Sequence, residues 1–139
     1  MIVVDTNVLV RVITKDDIDQ TRQAAELLRT ADLIWISRVV LLEVGWTLKS
    51  RYKYSQDAVS RALHVVVALS TAEVEDVERV RLALAYHARG MDLGDAFILA
   101  FAPAASVIAT FDTDFVKRAA FATDTVPTRL VEDCLPRGE

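Results

Sequence analysis

Six carboxylates stand where an acid is either costly or well placed for chemistry. Asp5 closes the β-branched run Ile2-Val3-Val4, and Asp112 closes the apolar run Val107-Ile108-Ala109-Thr110-Phe111. Asp95 opens the apolar stretch Ala96-Phe97-Ile98-Leu99, with Asp92 three residues before it, and Asp114 follows Asp112 by two. Glu43 lies inside the most apolar stretch of the chain, between Leu42 and Val44. A carboxylate buried there must be paired, protonated or bound to a metal. Arg38 and Lys49 are five and six residues away, off the i±3 and i±4 positions of its helical face, so no local ion pair explains it. Oxygen ligands without His or Cys suit a hard divalent cation such as Mg²⁺ or Mn²⁺. That is also what phosphodiester hydrolysis needs, because such a cation activates water and neutralises charge on phosphate oxygens. No Asp-rich loop of calcium-binding spacing is present. The plainer reading of Asp5, Asp95 and Asp112 is that each caps the helix that follows it, since Asp is among the best N-cap residues.

These acids need a scaffold that alternates strand and helix. Ile2-Val3-Val4 reads as a fully buried strand, with a helix from Val8 to Ile13. A helix over Asp17 to Thr30 faces inward with Ala24, Ala25, Leu27 and Leu28, and Leu33 to Ile36 reads as a second strand. Arg38 to Lys49 is apolar nearly all round, which predicts a helix buried on most sides. Ser55 caps a helix to about Leu69, whose polar side carries Asp57, Ser60, Arg61 and His64. Glu75 to Arg89 is helical with an inner stripe of Val77, Val80, Leu84 and Ala88, and Gly90 stops it. An apolar helix runs from Ala96 to Ala102 and ends near Pro103; Val107 to Thr110 is a third buried strand. A short helix spans Thr113 to Ala120, and the tail from Thr125 to Val131 adds an edge strand. This alternation predicts an α/β sandwich with a mainly parallel sheet, whose ligands bind at the carboxyl ends of the strands. Asp5 and Asp112 both stand at such ends.

The chain has 139 residues, 53% of them hydrophobic, with 4 Gly and 3 Pro. It fits one domain over residues 1–139 with a core of its own, and excludes a disordered or low-complexity chain. A net charge of −4 excludes a basic coat over the whole surface but leaves room for a local basic patch. The single cysteine, Cys134, excludes an internal disulfide and a Cys-rich zinc site, and fits a reducing cytoplasm. No basic region precedes the first apolar run, so it does not read as a signal peptide. The longest uncharged stretch, 96–111, has 16 residues and contains Pro103, too short for the ~20 that span a bilayer. The expectation is a soluble, cytoplasmic protein with no membrane partner.

Positive charge for a nucleic acid has several sources. Lys49, Arg51 and Lys53, interleaved with Tyr52 and Tyr54, form the densest basic stretch; they either hold phosphates and stack bases or form a solvated helix end. Arg11 and Lys15 follow Asp5, and Lys117 and Arg118 follow Asp112. His64 reads as solvated and His87 as structural. Trp35 and Trp46 read as core or interface residues.

Four segments together resemble the motifs of PIN domains, in the family's order: Val4-Asp5-Thr6-Asn7-Val8-Leu9, Ser37 with Glu43, Asp95-Ala96-Phe97-Ile98-Leu99-Ala100, and Thr110-Phe111-Asp112-Thr113-Asp114-Phe115. The size resembles that of VapC-type toxins of type II toxin–antitoxin pairs. The resemblance implies a PIN-like three-layer α/β/α sandwich and a Mg²⁺-dependent endoribonuclease, with Mn²⁺ able to substitute and one or two ions bound. Asp5, Glu43, Asp95 and Asp112 would be its catalytic, metal-binding quartet. Thr6, Asn7, Ser37 and Thr110 would orient these carboxylates. Asp92 would support the metal through water or face solvent, and Asp114 would be a turn or cap residue. The resemblance also implies a cognate antitoxin and a toxin homodimer. Arg11, Lys15, Lys49, Arg51 and Lys53 are the candidates for RNA binding. A non-catalytic module that binds RNA or protein and keeps its acids as caps is the alternative. A phosphatase of the haloacid dehalogenase type would need Asp-x-Asp, and here the third residue is Asn7.

Overall fold

A computed structural model describes residues 1–122 and 125–138. Of the single domain expected over 1–139, positions 123, 124 and 139 therefore lie outside the described residues. In chain order the elements are β1 (Ile2–Val3), α1 (Thr6–Thr14), α2 (Ile18–Thr30), β2 (Ile34–Ile36), α3 (Arg38–Ser50), α4 (Gln56–Val67), β3 (Ala72–Val74), α5 (Val77–Ala88), α6 (Leu93–Phe101), β4 (Ile108–Thr110), α7 (Thr113–Ala119), β5 (Thr128–Leu130) and α8 (Val131–Cys134). Most helices start at a side-chain cap. Asp5, Asp17, Ser37, Ser55, Asp92 and Asp112 each accept a backbone N–H from the first turn of the helix they precede. Gly90, at φ 107°, turns the chain after α5 in the left-handed region that suits glycine.

The strands pair in parallel, as expected of an α/β sandwich. β1, β2 and β3 form one ladder in that order, with Ile2 opposite Ile34 and Ile36 opposite Val74; β4 and β5 form a second, with Thr110 opposite Leu130. Ile34 and Ile36 of β2 are fully buried, together with Leu41, Val44 and Leu48 of α3, Leu63 of α4 and Val80 of α5. The apolar pairing across these layers supplies the main driving force for folding.

Several expectations about burial fail, for one common reason: apolar pattern does not say which side of an element has a neighbour. β1 is not a buried strand, since Ile2 is 41% and Val3 70% exposed. It is the outer strand of its ladder, with β2 on one side only. β4 is likewise half-open, with Ala109 exposed, as is Val107 just before it. In α2, Ala25 faces solvent while Ala24 is buried, and in α5 Ala88 is exposed. Ser60 of α4, expected on the polar side, is buried. The largest correction concerns α3. Leu41, Val44, Gly45 and Leu48 form its buried face, but Val39, Leu42, Glu43 and Trp46 form an exposed stripe at i, i+3, i+4 and i+7. Glu43 is thus not buried, and the argument from the cost of burying its charge does not apply. β3 and α8 are not foreshadowed in the sequence, because Ala72-Glu73-Val74 and Val131-Glu132-Asp133-Cys134 are short and interrupted by acids, with no apolar run to mark them.

Candidate active site

The acids fall into two sets, each with a helix cap among them. In the first, Asp5 caps α1 by accepting from the Val8 N–H at 3.4 Å, and its neighbour Thr6 donates through Oγ1 to Glu43 Oε2 at 2.7 Å. That bond crosses from the start of α1 to the exposed face of α3. It fixes the Glu43 carboxylate and leaves Oε1 free of hydrogen bonds among the described residues. Ser37 does not reach Glu43; it caps α3 by accepting from the Val40 N–H at 3.2 Å, which sets the helix on which Glu43 rides. Asn7 lines a shallow groove with Asp5 and Arg11.

The second group gathers around Asp95. The chain reaches it through Asp92, which caps α6 by accepting the Asp95 N–H at 3.2 Å. Asp95 is therefore inside the first turn and not the cap, which corrects the plainer reading for this residue. Asp112 caps α7, with Oδ1 accepting the N–H groups of Asp114 at 2.8 Å and Phe115 at 3.2 Å. Thr110 holds the backbone of the same turn, its Oγ1 accepting from the Asp112 N–H at 3.0 Å. Asp114 pairs with Arg118, whose Nε donates to Oδ2 at 2.8 Å. Asp95 is half-buried. Its carboxyl is pushed above the ordinary 3.8, first by burial and then by the like charges of Asp92, Asp112 and Asp114. Both capping and clustering therefore operate here: Asp5 and Asp112 are caps by geometry, and each is also part of an acidic group.

α3, which carries Glu43, packs against α6, which carries Asp95. Gly45 of α3 lets Leu93 of α6 come so close that a Cβ at position 45 would stand 2.3 Å from Leu93 Cδ2. Beside this contact opens a groove of about 750 Å³ that Glu43 and Asp92 both line, with Trp46, Lys49, Gln56 and His87. Gln56 carries no signal in the sequence, where a Gln in a first helical turn is unremarked. Its Nε2 donates to the carbonyls of His87 and Met91, both at 3.0 Å, and so ties down the turn that leads into Asp92. His87 is 5% exposed, its Nδ1 has no hydrogen-bond partner among the described residues, and burial pulls its pKa below the ordinary value, so it is a neutral packed residue, as expected. His64 is exposed, also as expected.

The donor set is all carboxylate oxygen, which fits a hard divalent cation in kind. Among the described residues, no three His, Cys, Asp or Glu side chains are gathered closely enough to hold a metal ion in their present positions. The repulsion felt at Asp95 is the observation that favours a cation, because a divalent charge there would relieve it.

The candidate RNA-binding cations differ in availability. Arg11 is engaged three ways, donating to Gln20 at 2.6 Å and to Asp16 and Tyr52, both at 3.2 Å. Tyr52 in turn donates to Asp16, so it serves a polar cluster at the end of α1 and is no open platform for a base. Lys15 and Lys53 both take left-handed backbone conformations, and Lys53 Nζ donates to the Ser50 carbonyl at 2.8 Å. Lys49 opens onto the groove beside Glu43, and Arg51 is exposed. Trp46 is 66% exposed on that rim, so it is not a core residue.

A family model described as the PIN domain matches residues 2–121, which include every carboxylate discussed above. Among curated proteins, none matches the chain.

Proposed function

The chain belongs to the PIN-domain family, whose members are in general metal-dependent nucleases, and from that premise we propose that it is an endoribonuclease dependent on Mg²⁺ or Mn²⁺. The observation that carries this reading is the family match over residues 2–121, and the like charges of Asp92, Asp112 and Asp114 acting on Asp95 at the start of α6 support it. Asp5, Glu43, Asp95 and Asp112 would hold one or two cations. A divalent cation bound there supplies Lewis acidity toward phosphate oxygens and makes water a stronger nucleophile at neutral pH. Thr6 orients Glu43 by its hydrogen bond, and Thr110 holds the Asp112 turn. Ser37 sets the start of α3, Asn7 lines the groove beside Asp5, and Gln56 anchors the turn before Asp92. Neither histidine acts as a general base, since His87 is buried and neutral and His64 lies on the outer face of α4. Hydrolysis by this route leaves a 5′-phosphate and a 3′-hydroxyl.

Within the family, the compact size and motif spacing favour a VapC-type toxin of a type II toxin–antitoxin pair, acting as one domain over residues 1–139 in the cytoplasm. The exposed apolar stripe Val39, Leu42 and Trp46 beside the groove supports a protein partner, for which an antitoxin and a second copy of the chain are the two candidates. No described helix is long and apolar enough to cross a membrane. A short reading frame for a DNA-binding protein immediately upstream would support the toxin assignment, and rescue of growth by its co-expression would test it.

Incubation of the purified chain with total RNA tests the enzymatic reading. Cleavage in Mg²⁺ that stops with EDTA and returns with excess Mg²⁺, leaving 5′-phosphorylated ends, is the expected result. Cleavage indifferent to EDTA, or none on any RNA, contradicts it. The capping roles of Asp5 and Asp112 favour a second reading, a non-catalytic binding module, in which Asp→Asn changes at these positions are silent.

A further inference from the structure

Asp114 connects the acidic group to a second groove. Its carboxylate presses on Asp95 and accepts from Arg118, and Arg118 lines a cavity of about 400 Å³ with Tyr86, Arg89, Met91, Lys117 and Phe121. Among the described residues, no carboxylate lines this cavity. Arg118 is held by Asp114 and lies over Gly90, where a Cβ would stand 2.7 Å from its Nη1. Arg89 and Lys117 are different. Both are exposed, and among the described residues neither side chain makes an ion pair or a hydrogen bond, whereas Arg22, Arg29, Arg61 and Arg81 each face an acid one helical turn away. Phe121 on the rim is 83% exposed, and a ring so placed adds little to the core. Arg118 both binds Asp114 and lines the groove with Lys117, so the groove adjoins the acidic group.

We propose that this groove is a nucleotide subsite for unpaired RNA, in which Arg89 and Lys117 hold backbone phosphates beside the scissile one and Phe121 stacks on a base. The proposal rests on the endoribonuclease reading and assigns this groove one of its nucleotides, an unpaired one, because a base inside a duplex offers no free face to Phe121.

Fluorescence anisotropy tests it, with a labelled unstructured 12-nucleotide RNA and a 12-base-pair RNA duplex, in EDTA so that cleavage does not interfere. Wild type binds the single strand more tightly. Phe121→Ala weakens that binding about tenfold, the scale of one base–aromatic stack, whereas Phe121→Trp keeps it. The Arg89→Ala/Lys117→Ala double variant lowers the slope of log affinity against log salt by about 1.4, at ~0.7 for each phosphate no longer neutralised. Arg61→Ala removes a cation elsewhere and leaves the slope unchanged. All altered side chains are exposed, and matching melting curves establish that the variants are folded. The subsite is overturned if Phe121→Ala and the double variant bind as wild type does, if Arg61→Ala has the same effect, or if wild type binds no single strand. The endoribonuclease reading is judged separately, by Mg²⁺-dependent cleavage of the same RNA by wild type.

Discussion

Asp95 carries the electrostatic cost of the proposed site. Its pKa in the folded protein lies above the ordinary 3.8, so the folded state holds this proton more tightly than the unfolded chain does. Ionised Asp95 therefore costs stability at neutral pH, and the cost vanishes as pH falls below about 3.8. Asp95→Asn is expected to leave the metal-free protein as stable as wild type or more stable at pH 7, with the gap closing toward acid; urea titrations at a series of pH values check this. The same substitution should lower cleavage on the order of 100-fold, about 2.7 kcal/mol at 1.36 kcal/mol per decade. Glu43 makes a second test at this scale. Glu43→Gln keeps an acceptor for Thr6 and removes the charge, so cleavage is lost while the melting temperature holds. Thr6→Val keeps the charge and removes its orientation, so activity falls about tenfold, in the range of groups that position metal ligands.

At the scale of elements, the site depends on how closely α3 and α6 approach. Gly45→Val would overpack the contact and force the Leu93 side chain out of its place, costing about 2 kcal/mol and lowering cleavage as well. Trp46→Ala, on the exposed face of the same helix, should stay within about 0.5 kcal/mol of wild type in chemical denaturation. The contrast between these two positions also explains what was legible in the sequence. The parallel α/β alternation, most helix boundaries and the cap Ser55 follow from local residue types, because caps and periods are local physics. The exposed stripe of α3 and the open faces of β1 and β4 do not, because an apolar side chain has the same pattern whether its own domain or a partner covers it. Asp92 and Asp95 illustrate the same limit in the site. Sequence placed both acids at one helix start, but only the backbone geometry tells which of them is the cap.

At the scale of the whole molecule, a net charge of −4 is concentrated partly in acids that face one another and not spread as a uniform negative coat. A divalent cation that binds the folded chain should raise its stability by about 2.7 kcal/mol at a hundred times its Kd. For a chain of this length that corresponds to a rise in Tm of roughly 5–10 °C. Mn²⁺ should produce this shift in wild type and little of it in Asp95→Asn, as read by calorimetry. The central claim is that the clustered acids are catalytic cation ligands and not only helix caps, and Asp112→Asn separates the two roles most directly. Asn caps a helix as well as Asp does, so the cap survives the substitution. The account predicts an unchanged melting temperature without metal and RNA cleavage in Mg²⁺ reduced on the order of 100-fold. Cleavage at the wild-type rate by this variant would contradict it.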